Sequence, residues 1–471
     1  MRTETDALGS LDIPEGAYHG IHTQRAVENF PLSGQRWRSP FIAALAQVKL
    51  ACALTNADLG LLDPAKGRAV AQACEELAAG QWHEQILVDP FQGGAGTSTN
   101  MNLNEVIANR AIELLGGRKG DYALVHPLHD VNRHQSTNDV FPTGLKVACL
   151  HLLKDLETRV ATLQGTLQCK ELEFADVVKV GRTQLRDAVP MTLGMEFGAF
   201  AEAVARDRWR VFKSRERLKQ VNLGGTAVGT GLGAPREYIF RVVEHLKRIT
   251  GLPVSRAENL VDATQNMDCL VEAVGMLNAL AANLLKISND LRLLASGPDC
   301  GLGEIELPAV QAGSSIMAGK INPVIPEAVA QVALRVMAAN HAVTLVASLG
   351  QLDLNQFMPL LAHECVEALV LLANVVAVFE ERCVRGIAAR SDRCRAHVTA
   401  GKALATVLVP VLGYERVEEI VHQAEQSGKS VADVVTELGI ADAALVAELL
   451  SPRRMRKLGF TDADYIGLKR E

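Results

Sequence analysis

Apolar residues recur along this chain at helical spacing. From Leu193 they fall at Phe197, Phe200, Val204, Val211 and Leu218, steps of four, three, four, seven and seven. Leu270, Leu277, Leu284 and Leu291 mark a second seam, with Val274 and Ala281 between them. Such heptad-like spacing, kept up over many turns, predicts two long helices packed at a shallow angle against others. Segments near 144–176, 327–349 and 356–386 carry noisier versions of the same pattern. Five long helices in mid-chain predict a helix bundle. Ala and Leu occupy more than one face of these stripes, so the helices should be buried on several sides, as in an oligomer that bundles them between subunits.

The flanks read differently, and the expected fold is mainly α with three domains, in keeping with 471 residues at roughly 150 per domain. Residues 1–140 form an N-terminal mixed helical domain of shorter runs and Gly- and Asn-rich loops. Residues 141–390 form the central long-helix bundle and include a mobile loop at 313–323. Residues 391–471 form a small C-terminal helical domain, with short helices near 430–438 and 442–450 and a basic run, PRRMRK at 452–457, expected to be a solvated surface patch.

Composition narrows the function classes. Hydrophobic residues make up 48% and charged residues 22%, ordinary for a folded globular chain. With 54 acidic against 48 basic residues and only 4% aromatics, nothing favours nucleic acid as a partner. The nine cysteines show no C-x-x-C pair, which suits reduced thiols in a cytosolic protein. MRTETDALGSLDIPEG lacks the basic and apolar regions of a signal peptide. The most apolar stretch, Ala368 to Phe379, is too short to cross a bilayer. A cytoplasmic protein without a membrane partner is expected.

Several catalytic signatures are missing. GGTAVGTGLG at 224–233 does not follow the G-x-G-x-x-G grammar of dinucleotide folds, and no lysine follows a glycine loop as in a phosphate-binding loop. His83-Glu84 and His363-Glu364 have no second histidine four residues on, so no catalytic metal set is visible. Three segments instead share one grammar: Gly94-Ala95-Gly96-Thr97-Ser98-Thr99-Asn100, Gln135-Ser136-Thr137-Asn138-Asp139, and Gly313 to Pro323. Each sets hydroxyls, an amide and free backbone N–H groups before a helix, an arrangement that attracts anions. Any one of them is also an ordinary helix cap. Three together suit a small dicarboxylate, provided that the helix entrances meet in space. Ser314 has no histidine partner in a G-x-S-x-G elbow. It can still act as a base if Lys320 and backbone N–H groups stabilise its alkoxide, and the doubled charge of an aci-carboxylate needs similar donors.

These segments are similar to the fumarase/aspartase superfamily. Gly313 to Asn322 matches its signature G-S-S-x-M-x-x-K-x-N, with Glu327 following. GAGTSTNMNLNEVIANRA (94–111), QSTNDVFPTG (135–144), GRTQLRDAVPMTLGMEF (181–197) and GGTAVGTGL (224–232) resemble further blocks of that superfamily, in order. The resemblance runs from about Tyr18 to the C-terminal tail. It implies a three-domain, mainly α subunit in a homotetramer with active sites shared between subunits. It implies Ser314 as the general base on the mobile loop, and Lys320 and Asn322 on a substrate carboxylate. Thr97, Ser136, Thr137, Asn138, Thr183 and Gln184 would complete the site, with Glu327 supporting it. GRTQLRDAVP resembles the aspartase branch, whereas fumarases carry G-R-T-H. Gln184 has no titratable proton, which suits departure of ammonia better than of hydroxide. The implied reaction is reversible deamination of L-aspartate to fumarate and ammonia without an organic cofactor; activation by a divalent cation stays open, with no ligand set for one. Fumarate hydration, elimination from another amino-dicarboxylate, and a catalytically silent scaffold are the alternatives. Three departures from the family pattern stand out: Arg186 for glutamine, Leu128-His129 in a region that forms a secondary dicarboxylate site in relatives, and Ala318 for proline in the loop.

Overall fold

The computed structural model describes residues 1–469. Helices dominate, and the strands among the described residues pair only as four two-stranded ladders. The five long helices run Thr137–Glu173, Leu193–Leu218, Asp268–Leu294, Val324–Ser348 and Met358–Arg382, where the heptad spacing puts them. Their seams are buried: Phe197, Val204, Val211 and Leu218 are each 0% exposed, as are Leu277 and Leu291.

The described residues divide into two compact units. The first comprises Met1–Thr158, Arg208–Ala282 and Val332–Asn374; the second comprises Arg159–Asp207, Asn283–Gln331 and Val375 onward. The chain passes between them five times, each time inside one of the long helices.

Three details depart from the sequence pattern. The first long helix, expected near 144–176, begins earlier, at Thr137, and takes Pro142 into its early turns. Proline cannot donate to the carbonyl four residues back. The side-chain amide of Asn222 does so instead, donating to the Asn138 oxygen at 2.9 Å. The basic run at 452–457 is not simply solvated. Arg454 is buried, donates to the Gly459 carbonyl at 2.8 Å and faces the Tyr465 ring, while Arg456 and Lys457 pair with Asp176 and Asp464. The Ala368–Phe379 run lies within a longer apolar helix. Met358–Gly386 and the helices Ser39–Asp58, Asp268–Leu294 and Val324–Ser348 have the length and mean hydropathy of membrane spans. On Val324–Ser348 only one seam is covered, through Val329, Ala333, Val336, Val343 and Val346, while Leu334 and Leu345 are more than half exposed.

Candidate active site

In the first unit two of the three helix entrances meet. The Thr97–Leu114 helix starts from Gly96, whose φ of 96° suits glycine, and a Cβ there would lie 2.5 Å from the Phe141 ring. One turn on, Asn100 Nδ2 donates to Thr137 Oγ1 at 3.1 Å, joining the 97 entrance to the 137 entrance. Thr97, Ser136 and Asn138 are half-buried there and Thr137 is buried. The Thr97 hydroxyl donates to the Gly94 carbonyl at 2.7 Å, Ser136 Oγ accepts the Asn138 N–H at 3.2 Å, and Asn138 Nδ2 donates to the Ala227 carbonyl at 2.8 Å.

Beneath this turn lies a buried polar layer that sequence reasoning missed. Lys49 Nζ donates to Asn132 Oδ1 at 3.0 Å and Gln135 Oε1 at 2.8 Å, and Asn100 and Asn104 donate to the same Asn132 oxygen, each at 3.2 Å. Burial pulls the Lys49 ammonium down to about 8. Asp139 is fully buried and accepts N–H groups from Ser136, Gly224 and Thr226. Burial still outweighs these donors and lifts its carboxyl to about 6. The glycine-rich 224–233 segment is therefore a backbone clamp on Asp139. In the sequence Lys49 reads as one polar residue in an Ala- and Leu-rich helix, and only the quoted block around Asp139 gave any signal.

The second unit holds the other implied residues. The Gly313–Asn322 loop is closed on itself. Gly313 N–H donates to the Lys320 carbonyl at 2.8 Å, and Asn322 Nδ2 donates back to the Gly313 carbonyl at 2.6 Å. A Cβ on Gly313 would lie 2.4 Å from the Lys320 oxygen, so the close approach demands glycine. Ser314 Oγ accepts N–H groups from Ile316 at 3.1 Å and Met317 at 2.9 Å. Two donors on one hydroxyl oxygen favour its alkoxide. Lys320 is exposed, forms no ion pair among the described residues, and with Asn322, Arg292 and Arg390 lines a cavity of about 480 Å³. Glu327 follows in the first turn of the Val324–Ser348 helix.

Thr183 and Gln184 sit at the tip of a hairpin, Val178–Thr183 against Arg186–Thr192. Its two-residue turn, Gln184-Leu185, has φ of 53° and 60°. Such turns favour Asn and Gly, so side chains here hold strained backbone. No hydrogen bond joins this tip to Ser314, Lys320 or Asn322 among the described residues. A buried carboxylate anchors the hairpin instead. Glu304 is 0% exposed and takes Arg182 at 2.8 and 3.0 Å, His397 Nδ1 at 2.9 Å and Lys179 Nζ at 3.2 Å. Burial alone would raise the Glu304 carboxyl; these three partners hold it below its ordinary value. One residue on, Ile305–Glu306 forms the strand that leads toward the Gly313 loop.

Two further features bear on ligands. Among the described residues, no group of three or more His, Cys, Asp or Glu side chains is arranged to hold a metal ion. The 126–130 region forms a π-helical turn in which Asp130 is already committed, paired with Lys66 at 2.9 Å and accepting the His126 N–H at 2.8 Å.

Comparison with known proteins gives the family. A family model described as "Lyase" matches residues 9–338, and one described as "Fumarase C C-terminus" matches 404–457. The chain belongs to the fumarase/aspartase superfamily. Within the superfamily it stands with the ammonia-lyases. An aspartate ammonia-lyase of Bacillus sp is 44% identical over 98% of each chain, and one of Pseudomonas aeruginosa is 48% identical over 96% of each. A crystal structure titled fumarate lyase:delta crystallin from Brucella melitensis, bound to cobalt, superposes with a TM-score of 0.92. It is 47% identical, over 97% of this chain and 100% of that one.

Proposed function

We propose that this lyase carries out the reversible deamination of L-aspartate to fumarate and ammonia, with Ser314 as the base. The observation that carries the mechanism is the pair of backbone N–H groups on Ser314 Oγ. As the alkoxide, Ser314 takes the Cβ proton. The electron pair left on Cβ spreads into the adjacent carboxylate, where Lys320 and Asn322 stabilise the added charge. That pair then forms the C=C bond as the C–N bond breaks and the amine departs. Thr97, Ser136, Thr137, Asn138, Thr183 and Gln184 complete the dicarboxylate and amine site, and Glu327 supports it. Gln184 offers no acid to a departing hydroxide, which favours ammonia over water as the product. Protein donors carry each step, so no tightly bound cofactor is required.

The same reading makes the protein a cytoplasmic, three-domain subunit of a homotetramer with sites shared between subunits and no nucleic-acid or membrane partner. The uncovered apolar faces of the long helices support assembly, since single-chain packing leaves Leu334 and Leu345 in water. Purified protein should release fumarate from aspartate. Ser314→Ala should abolish turnover while the assembled mass stays unchanged; unchanged turnover removes Ser314 from the base role. Malate formed from fumarate without ammonium would identify a hydratase instead.

A further inference from the structure

The hairpin that carries Thr183 and Gln184 has two chemically different faces. Its register pairs Arg182 with Asp187 and Thr183 with Arg186. Residues directly opposite on antiparallel strands share a face, and successive residues alternate. Arg182 and Asp187 therefore lie on one face and Thr183 and Arg186 on the other.

The two arginines have different fates. Arg182 is spent on the fold: both terminal nitrogens bond Glu304, and its Nε lies 3.7 Å from Asp187. Among the described residues, Arg186 is exposed and takes part in no ion pair, side-chain hydrogen bond or ring contact, while its neighbouring acid Asp187 sits on the opposite face beside Arg182. Nothing in the fold needs the Arg186 guanidinium, and removing it leaves no buried group without a partner. The backbone beside it is nevertheless fixed tightly. The strained Gln184-Leu185 turn and the Glu304 anchor set the tip, so the Arg186 backbone is held directly opposite Thr183. An unspent planar cation on a fixed support, flanked by a hydroxyl, suits two-point recognition of a carboxylate.

We propose that Arg186 is a specificity-determining residue that binds, in bidentate fashion, the substrate carboxylate seated against Thr183. This rests on the dicarboxylate elimination proposed above. Arg186 acts on ground-state binding and has no role in proton transfer. The enzyme should therefore demand a charged carboxylate at that end and reject its amide.

The experiment compares wild type with Arg186→Gln and Arg186→Lys. For Arg186→Gln, KM for aspartate should rise on the order of tenfold to a hundredfold with kcat within about twofold, the range expected for a lost charge-assisted bond. Arg186→Lys, which keeps the charge but not the fork, should fall between. The preference for aspartate over isoasparagine, the amide of the carboxylate next to the amine, should shrink in Arg186→Gln. Calorimetry with succinate, a dicarboxylate with no leaving group, reads the same contact without turnover and should show weaker binding by a similar factor. Failure of wild type to release fumarate would overturn the proposed reaction, while the succinate arm would still decide the role of Arg186. An unchanged KM and unchanged succinate affinity would overturn the proposal. So would a fall in kcat at constant KM, or dissociation of the assembly in Arg186→Gln, which would make the guanidinium an interface group.

Discussion

Glu304→Gln tests how the hairpin is held. The wild-type carboxylate is wholly buried and divides its oxygens evenly: Oε1 serves Arg182 and His397, and Oε2 serves Arg182 and Lys179. Glutamine keeps the shape, but one oxygen becomes an NH2 donor facing an Arg182 N–H, and in one orientation Lys179 as well, so an Arg182 contact is lost however the amide is turned. The cations also lose their countercharge. Removing one partner of a buried ion pair costs about 3–5 kcal/mol. The low end applies, because Lys179 keeps Glu196 at 2.8 Å and the Arg182 side chain retains 14% exposure. A loss of about 3 kcal/mol corresponds to a local opening equilibrium raised by about two orders of magnitude. The assay must report on the second unit. Trp37, Trp82 and Trp209 all lie in the first, so intrinsic fluorescence should barely change. Hydrogen exchange of the 178–192 amides should accelerate about a hundredfold. The pH dependence has a definite sign. A carboxyl held below its unfolded value, near 4.3, contributes stability at neutral pH and loses it as pH falls through the lowered folded value. The difference between wild type and Glu304→Gln should therefore close in acid. Unchanged hairpin exchange, or equal destabilisation of both units, would refute the anchoring role.

Two further perturbations follow from the geometry. Gly313→Ala puts a methyl group against the Lys320 carbonyl and forces the loop open, so kcat should fall about a hundredfold while global stability stays within about 1 kcal/mol; full activity would show that loop closure does not matter. Lys49 carries a folded-state value of about 8 against an unfolded value near 10.4, so the unfolded chain binds more protons between those pH values. Wild type should gain about 3 kcal/mol relative to Lys49→Met as pH rises across that window, read from urea unfolding by tryptophan fluorescence; a constant difference would show that Lys49, despite its neighbours Asp139, Cys52 and Cys74, is not strained by its charge.

The long helices were legible because a buried seam leaves its spacing in the sequence, and Leu193–Leu218 declares itself through Phe197, Val204 and Val211. The hairpin was not. Val178–Thr183 is short, and Gln184-Leu185 lacks the Asn-Gly signature of its turn. The start of the first long helix at Thr137, ahead of 144, was hidden because Pro142 is tolerated through a bond from Asn222, far along the chain. The closed Gly313–Asn322 loop was legible because a segment with such close backbone approach tolerates few sequences. Lys49 and Glu304 were not, because their role lies in partners that only folding supplies. The structure joins the 97 and 137 entrances directly.

The interlaced course of the chain has a consequence for its birth on the ribosome. The first unit needs Val332–Asn374, and the second needs the segment from Val375 onward, so neither is complete until most of the polypeptide has been translated. Until then the nascent helices present greasy stripes with nothing to cover them, a state prone to clumping. Truncation from either end should yield insoluble fragments rather than a working half, and slowing translation should not help the early part fold ahead of the late part.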